Sequence, residues 1–307
     1  MPSPPIKIVH FADPWCWWSW GLEPVLQRLK EVYGDRIEIE YGMGGTFENL
    51  EEWMHEYGVD RHTTADWVRQ SMRMTGMPVD PTYILRTPST YPACRAFKAA
   101  ELQDRAKAER YMRRMMEAFM LEGLEGTTED FVRLAKEVGL DGDRLSRDMA
   151  SPTVHHAFEK DRHMMAHTGV NFLSLRIDAD GKQVVKGEVF NGGPYEDIID
   201  GLAPGLPKRI PTDILEYIER NWGNLVHPHE IAVVFRISDA DAGARLRTLA
   251  SAGLLEQRRL ANTSFFATKV IALDKLPLEL VKVSHVTPQA QVSGVADLKP
   301  IITEAVK

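Results

Sequence analysis

The sequence predicts an α/β fold followed by a smaller, mostly helical domain. Three observations support this prediction. A strand, a helix and a second strand follow one another near the start, a long helical stretch comes next, and a pair of strands with a helix returns after residue 170. At 307 residues the chain is long enough for two domains.

The first three elements form a predicted βαβ unit. Residues 6–13 are mostly apolar and fit a short buried strand, whereas residues 37–43 alternate apolar and charged side chains, as a half-covered strand does. Between them, apolar residues recur at helical spacing, and Gly34 is placed to end the helix. The apolar positions of this helix are Leu22, Val25, Leu26, Leu29 and Val32.

Residues 49–167 carry a helical pattern throughout. Thr127 followed by Glu129 and Asp130 predicts a capped helix start. A row of methionines has two readings, a soft peptide-binding groove or core packing, and helical spacing favours the core. The row consists of Met112, Met115, Met116 and Met120.

Strand patterns return at residues 170–178 and 183–191, joined by a hairpin turn signal that ends in Gly181. A helix ending at Pro204 follows. A βαβ half, a helical block and a ββα half together make a thioredoxin fold with an all-helical insertion, which we assign to residues 1–205.

Residues 206–273 predict a winged helix-turn-helix domain, because three helical segments precede a hairpin centred on Ala261 and Asn262. Residues 274–307 mix proline and glycine with short apolar clusters, and their pattern assigns no domain.

The sequence "FADPWCWWSWG" places Cys16 between a strand and a helix, with Ser19 where a dithiol enzyme has its second cysteine. Thiolate is the nucleophilic form, and the positive end of a helix stabilises it, so we expect a reactive Cys16 with a lowered pKa. Ser19 can donate a hydrogen bond to the sulfur, but it cannot release a mixed disulfide. An outside thiol such as glutathione would then be the co-substrate, and no other cofactor is expected. Cys94 falls inside a helix and is expected in the core.

This segment, together with "STYPACRAFKAAELQ", resembles the cytoplasmic DsbA-like thioredoxin-fold proteins of the FrnE and SpxH group. A weaker resemblance extends to kappa-class glutathione transferases and 2-hydroxychromene-2-carboxylate isomerases. The resemblance covers roughly residues 6–203 and implies an active-site cleft at Cys16. The resemblance and the tryptophan-rich segment together assign eight residues to this cleft. They are Trp15, Trp17, Trp18, Trp20, Ser89, Thr90, Val170 and Asn171.

Two departures from that family pattern stand out. The second active-site cysteine is Ser19, and the cis-proline position falls on Asn171. A cis bond before a non-proline residue costs roughly 2.5–4 kcal/mol, so we expect a trans Val170–Asn171 bond and a reshaped loop with Asn171 facing the thiol. Both departures weigh against an efficient dithiol oxidase.

The segment around "LASAGLLEQRRL" resembles the winged helices of bacterial and archaeal regulators. Its basic candidates are Arg245, Arg247, Arg258 and Arg259. Asp239 and Asp241 at the start of the reading helix would repel phosphate, so dimerisation or docking of a partner is favoured over DNA binding.

Composition narrows the function classes. A formal charge of −7 weighs against nucleic-acid or membrane-surface binding, and no apolar run reaches the length of a membrane span. Two cysteines are too few for a disulfide framework or a zinc site, and the histidines between 155 and 167 lack the further ligands that a metal motif requires. We therefore expect no metal and no signal peptide, and a cytoplasmic location.

Three functions remain open. The first is a thiol–disulfide oxidoreductase or isomerase that acts on a protein or small-molecule substrate through Cys16 alone. The second is a non-enzymatic adaptor or redox-responsive regulator that uses a degenerate thioredoxin fold and the winged helix. The third is a glutathione-dependent transferase or isomerase.

Overall fold

The chain forms two compact units whose boundary falls between Lys208 and Arg209. The computed structural model describes residues 6–80, 87–168, 171–172, 174–187, 189–221 and 225–268.

The first unit is built on a four-stranded sheet of order β2-β1-β3-β4. Strands β1 and β2 are parallel, and β3 pairs antiparallel with both β1 and β4. At the β3–β4 turn Asp180 and Gly181 have φ angles of 46° and 75°, the left-handed pair that a tight hairpin needs. The strands are β1 (Ile6–Ala12), β2 (Ile37–Met43), β3 (Ser174–Ala179) and β4 (Lys182–Gly187).

Helix α1 (Trp17–Tyr33) connects the two parallel strands, as the sequence predicts. Its apolar positions, including Leu22 and Leu26, are fully buried. Gly34 ends the helix with a φ of 58°, and a 3₁₀ turn leads into β2. The predicted βαβ unit is therefore confirmed.

The insertion is all helical where the structure describes it, and it confirms the predicted fold class. Its helices are α2 (Leu50–Tyr57), α3 (Arg61–Thr75), α4 (Tyr91–Glu101), α5 (Arg105–Leu121), α6 (Thr128–Glu137), α7 (Gly142–Met149) and α8 (Pro152–Thr168). Thr127 and Asp130 form the predicted helix start as a complete capping box. All four methionines of the α5 row are fully buried, so they are core residues and line no groove.

Helix α9 (Gly193–Leu202) closes the first unit against α1 through a buried ion pair. The Arg28 Nε lies 2.9 Å from a Glu196 carboxylate oxygen, and both side chains are at most 7% exposed. The Tyr33 hydroxyl also donates to the Glu196 carbonyl. These polar contacts fix α9 on the helix that carries Cys16 at its start.

The second unit contains three helices and a two-stranded hairpin. These elements are α10 (Ile214–Arg220), α11 (Pro228–Phe235), α12 (Asp239–Ser251), β5 (Leu255–Leu260) and β6 (Thr263–Thr268). Ala261 and Asn262 form the turn with positive φ angles, as predicted. Ile218, Leu246 and Phe266 belong to its separate apolar core. The order of elements is the predicted one, and the winged-helix assignment stays a prediction.

Among the residues described, we find no helix with both the length and the apolar character that crossing a bilayer requires.

The Arg28–Glu196 pair gives a stability prediction. Glu196→Ala should lower the free energy of unfolding by about 3–5 kcal/mol, because it leaves the Arg28 charge buried without its carboxylate. Asp197→Ala is the matched control, since Asp197 neighbours it on α9 but is exposed, and it should change stability by less than about 0.5 kcal/mol. Urea unfolding measures both, and equal effects would contradict the role assigned to the pair.

Candidate functional site

Cys16 caps the start of α1 in the loop that follows β1. Its backbone N–H donates to the Asp13 carbonyl at 2.9 Å, and its own carbonyl accepts the first helical bond from Trp20 at 3.0 Å. The thiol therefore sits at the positive end of the helix, where the sequence places it. The N–H groups of Ser19 and Trp18 and the Ser19 hydroxyl lie near the sulfur and favour the thiolate, although Cys16 makes no side-chain capping hydrogen bond to the helix.

The thiol is nevertheless buried, and this determines its acidity. The pKa of Cys16 is raised to about 12, chiefly by burial and also by the nearby Asp13 carboxylate, while the Ser19 and Trp18 groups oppose the shift. Cys16 is only 7% exposed. The expectation of a lowered pKa is wrong, because removing a thiolate from water costs more than three donors return.

Asp13 organises the loops around the thiol. One carboxylate oxygen accepts the Trp15 N–H at 2.8 Å, and the other accepts the Thr46 N–H at 2.7 Å and the Thr46 hydroxyl at 2.9 Å. The Thr90 hydroxyl is a further partner. Burial raises the pKa of Asp13, and these donors oppose the shift. A single carboxylate thus joins the Cys16 loop, the loop after β2 and the start of α4.

A cavity of about 150 Å³ opens beside the sulfur and is lined almost entirely by aromatic rings. Five of the seven tryptophans of the chain surround it. Its lining consists of Trp15, Cys16, Trp17, Trp18, Thr46, Phe47, Trp53, Trp67, Thr90 and Phe172. The start of α1 supplies one wall, and the inserted helices α2 and α3 supply the other.

Two of the predicted cleft residues lie elsewhere. Trp20 is fully buried and donates its indole N–H to the Pro78 carbonyl at 3.0 Å, with the Arg113 guanidinium over its ring. Trp20 does not line the cavity, because the Pro78 carbonyl and the Arg113 guanidinium hold its ring in the core. Ser89 accepts the Tyr91 N–H at the start of α4 and does not line the cavity, whereas Thr90 does.

The loop before β3 also differs from expectation. Asn171 is exposed, and its backbone N–H donates to the Ser174 hydroxyl at 2.9 Å, so the neighbouring Phe172 faces the cavity in its place. The prediction that Asn171 faces the thiol is wrong for this reason. Val170 lies outside the described residues, as does the geometry of its bond to Asn171.

The second cysteine takes no part in a disulfide. Cys16 and Cys94 are both free, and Cys94 is fully buried in α4. Burial and the Asp13 charge raise the pKa of Cys94 well above its usual value. Cys94 is a core residue, as the sequence predicts.

The four candidate arginines predicted in the second unit lie on two elements. Arg245 and Arg247 are on α12, and the exposed Arg258 and Arg259 are on β5. Arg258 pairs with Glu256 at 3.1 Å. Because Asp239 and Asp241 occupy the first turn of α12, the surface carries mixed charge.

Sequence reasoning missed six residues of the site: Asp13, Thr46, Phe47, Trp53, Trp67 and Phe172. The Asp-Pro pair before Cys16 was a usable signal for Asp13. Tryptophan is scarce in this chain, so Trp53 and Trp67 at the start of the insertion were a second signal.

Comparison with known proteins gives the family. A family model described as Thioredoxin matches residues 10–174, more than half of the chain. The chain belongs to the thioredoxin family. The resemblance to DsbA-like, SpxH-type proteins that the sequence indicates is likewise confirmed.

Curated relatives and a solved structure agree with this assignment. The chain is 28% identical over 256 residues to a protein of Halalkalibacterium halodurans named ClpXP adapter protein SpxH, covering 80% of this chain and 83% of the relative. The protein of that name from Bacillus subtilis is 27% identical over 263 residues, covering 82% and 85%. The cytosolic disulfide reductase DsbM of Pseudomonas aeruginosa shares the fold, with a TM-score of 0.53 and 21% identity over 64% of this chain and 97% of its own.

The raised pKa of Cys16 predicts slow alkylation. At pH 7.5 iodoacetamide should modify Cys16 at least about 100-fold more slowly than the same cysteine in urea, because almost no thiolate forms in the folded protein. The rate should still be rising above pH 10. Mass spectrometry of the labelled peptide follows Cys16 separately from Cys94, and a rate that levels off near pH 7 would contradict the raised pKa.

Proposed function

We propose that this protein is a non-enzymatic adapter that binds a client protein at the Cys16 cavity and delivers it to the ClpXP protease. The observation that supports this most strongly is the protonated, buried thiol in an aromatic cavity. The two curated relatives described above carry the name ClpXP adapter protein, and each matches 80% of the chain or more, beyond the first unit alone.

Thiol chemistry explains why binding is favoured over exchange. With a pKa of about 12, roughly one Cys16 in 10⁵ is ionised at pH 7. Exchange also needs a second thiol to release a mixed disulfide, and Ser19 stands in that position. An apolar cavity beside a protonated Cys16 thiol, by contrast, can bind a client side chain without any ionisation.

A single-thiol oxidoreductase is the second candidate. Its support is the place of Cys16 at the start of α1, where the N–H groups of Trp18 and Ser19 lower the pKa of the thiol against the effect of burial. In that mechanism the Cys16 thiolate attacks a substrate disulfide, forms a mixed disulfide and releases the substrate's other sulfur as thiolate. Glutathione would then displace the substrate and, as a second equivalent, regenerate Cys16.

The second unit fits the adapter role as a docking or dimerisation module. The mixed charge at the start of α12 suits a protein partner better than the phosphate backbone of DNA. Two free cysteines accord with a reducing cytoplasm.

A degradation assay separates the two candidates. Cognate ClpXP and ATP are incubated with a labelled cytoplasmic protein extract, alone, with the protein, or with its Cys16→Ser variant. An adapter should speed the loss of a few proteins at least about fivefold, and Cys16→Ser should act like the original protein because it keeps the cavity.

The same samples are assayed for reduction of the mixed disulfide between glutathione and 2-mercaptoethanol. Reduction that disappears in Cys16→Ser, with no protein degraded faster, would overturn the adapter proposal in favour of the oxidoreductase.

A further inference from the structure

The size of the Cys16 cavity limits what it can hold. An apolar protein cavity of about 150 Å³ accommodates a benzene-sized group. The oxygen-bearing side chains in its wall, Thr46 and Thr90, are bound to Asp13. The cavity therefore suits one aromatic ring and offers little to a charged or strongly polar group.

A row of aromatic rings leads from the cavity to the surface of the insertion. Phe47 contacts Trp53 with ring centroids 5.5 Å apart, and Trp53 contacts Trp67 at 6.2 Å and Tyr57 at 5.3 Å. Phe47, Trp53 and Trp67 line the cavity, while Tyr57 is 60% exposed. A chain whose side chain enters the cavity would find an apolar track along α2.

The helix beside this track is acidic. Glu48, Glu51, Glu52, Glu56 and Asp60 are all exposed within or next to α2. Arg61 pairs with Glu51 at 3.3 Å, and within the described part of the chain no cation lies within ion-pair distance of Glu52 or Glu56. Glu52 and Glu56 are one helical turn apart, so they form a line parallel to Trp53 and Tyr57.

We propose that this surface recognises a basic segment of the client protein that inserts one aromatic side chain into the Cys16 cavity. Its lysines or arginines then lie over Glu52 and Glu56. This inference rests on the proposed adapter function and names the chemistry of its client. A buried aromatic anchor with a charged rim is the usual arrangement of a binding hot spot.

Short fluorescein-labelled peptides test the aromatic anchor and the basic residues separately, with binding measured by fluorescence anisotropy. One has a central phenylalanine between pairs of lysines, a second replaces the phenylalanine by serine, and a third replaces the lysines by glutamates. The first should bind at least about tenfold more tightly than either of the others, since burial of the ring and the charge pairing each contribute. Equal binding of the phenylalanine and serine peptides would overturn the inference.

Charge reversal tests the acidic line. Glu52→Lys with Glu56→Lys should weaken the lysine peptide at least about fivefold and strengthen the glutamate peptide. The matched control is Glu129→Lys with Asp197→Lys, which changes the net charge by the same amount. It places one lysine in the first turn of α6 and the other on α9, so the order in which the three peptides bind should not change. Equal effects of the two double variants would contradict recognition at α2.

Filling the cavity with a group attached to Cys16 tests whether the client's aromatic side chain binds there, without changing the protein sequence. Prolonged treatment with benzyl methanethiosulfonate at alkaline pH places a ring on Cys16 and should abolish binding of the phenylalanine peptide. The smaller adduct from methyl methanethiosulfonate should weaken binding of that peptide less. Equal weakening by the methyl and benzyl adducts would count against a site that fits one aromatic ring. Trp67→Ala, checked for folding by circular dichroism, should act like the benzyl adduct.

The ClpXP assay distinguishes this inference from the adapter function itself. If Trp67→Ala and the Glu52/Glu56 double variant deliver clients as well as the original protein, the inference fails and the adapter function stands. If the peptide ranking holds and no client is degraded, the adapter function fails and the recognition surface stands.

Discussion

The cost of removing the Cys16 sulfur from water governs the behaviour of this site. Three hydrogen-bond donors at the start of α1 lie near the sulfur, and in an open loop they would favour a thiolate. The aromatic wall leaves Cys16 only 7% exposed, and burial outweighs the donors. A thiol at the start of a helix is therefore neutral at pH 7 here, and the remaining features of the site follow from that neutrality.

The inserted helices produce both the burial and the binding surface. Asp13 joins the Cys16 loop to Thr46 and Thr90, and this brings the ends of β2 and the start of α4 against the thiol. Trp53 and Trp67 then form the outer wall of the cavity. Rings that exclude water from the thiol also present an apolar surface, so the low reactivity expected of Cys16 and the binding role proposed for the cavity have one structural cause.

Local sequence rules predicted most of the fold. Period-3.6 spacing gave α1, the Thr127 capping box gave the start of α6, and turn chemistry at Gly181 and Asn262 gave both hairpins. The tertiary part of the site was not predictable in this way, because Trp53 and Trp67 reach Cys16 only once α2 and α3 have packed. The direction of the Cys16 pKa shift was missed for the same reason, since distant residues supply the burial. Trp20 was misplaced because the apolar spacing of α1 marks one face, whereas the folded helix is buried on nearly every side.

The most direct measurement of the central claim is an NMR titration of Cys16 in protein labelled with ¹³C at the cysteine β-carbons, with the resonance assigned by Cys16→Ser. Ionisation of a thiol changes the chemical shift of its β-carbon. The resonance therefore reports the protonation state of the Cys16 thiol in the folded protein without a reagent. We expect no titration of Cys16 between pH 6 and 9.5, although an ordinary cysteine would ionise almost completely within that range. A full titration step centred below pH 8 would show that the helix end prevails over burial and would contradict this account.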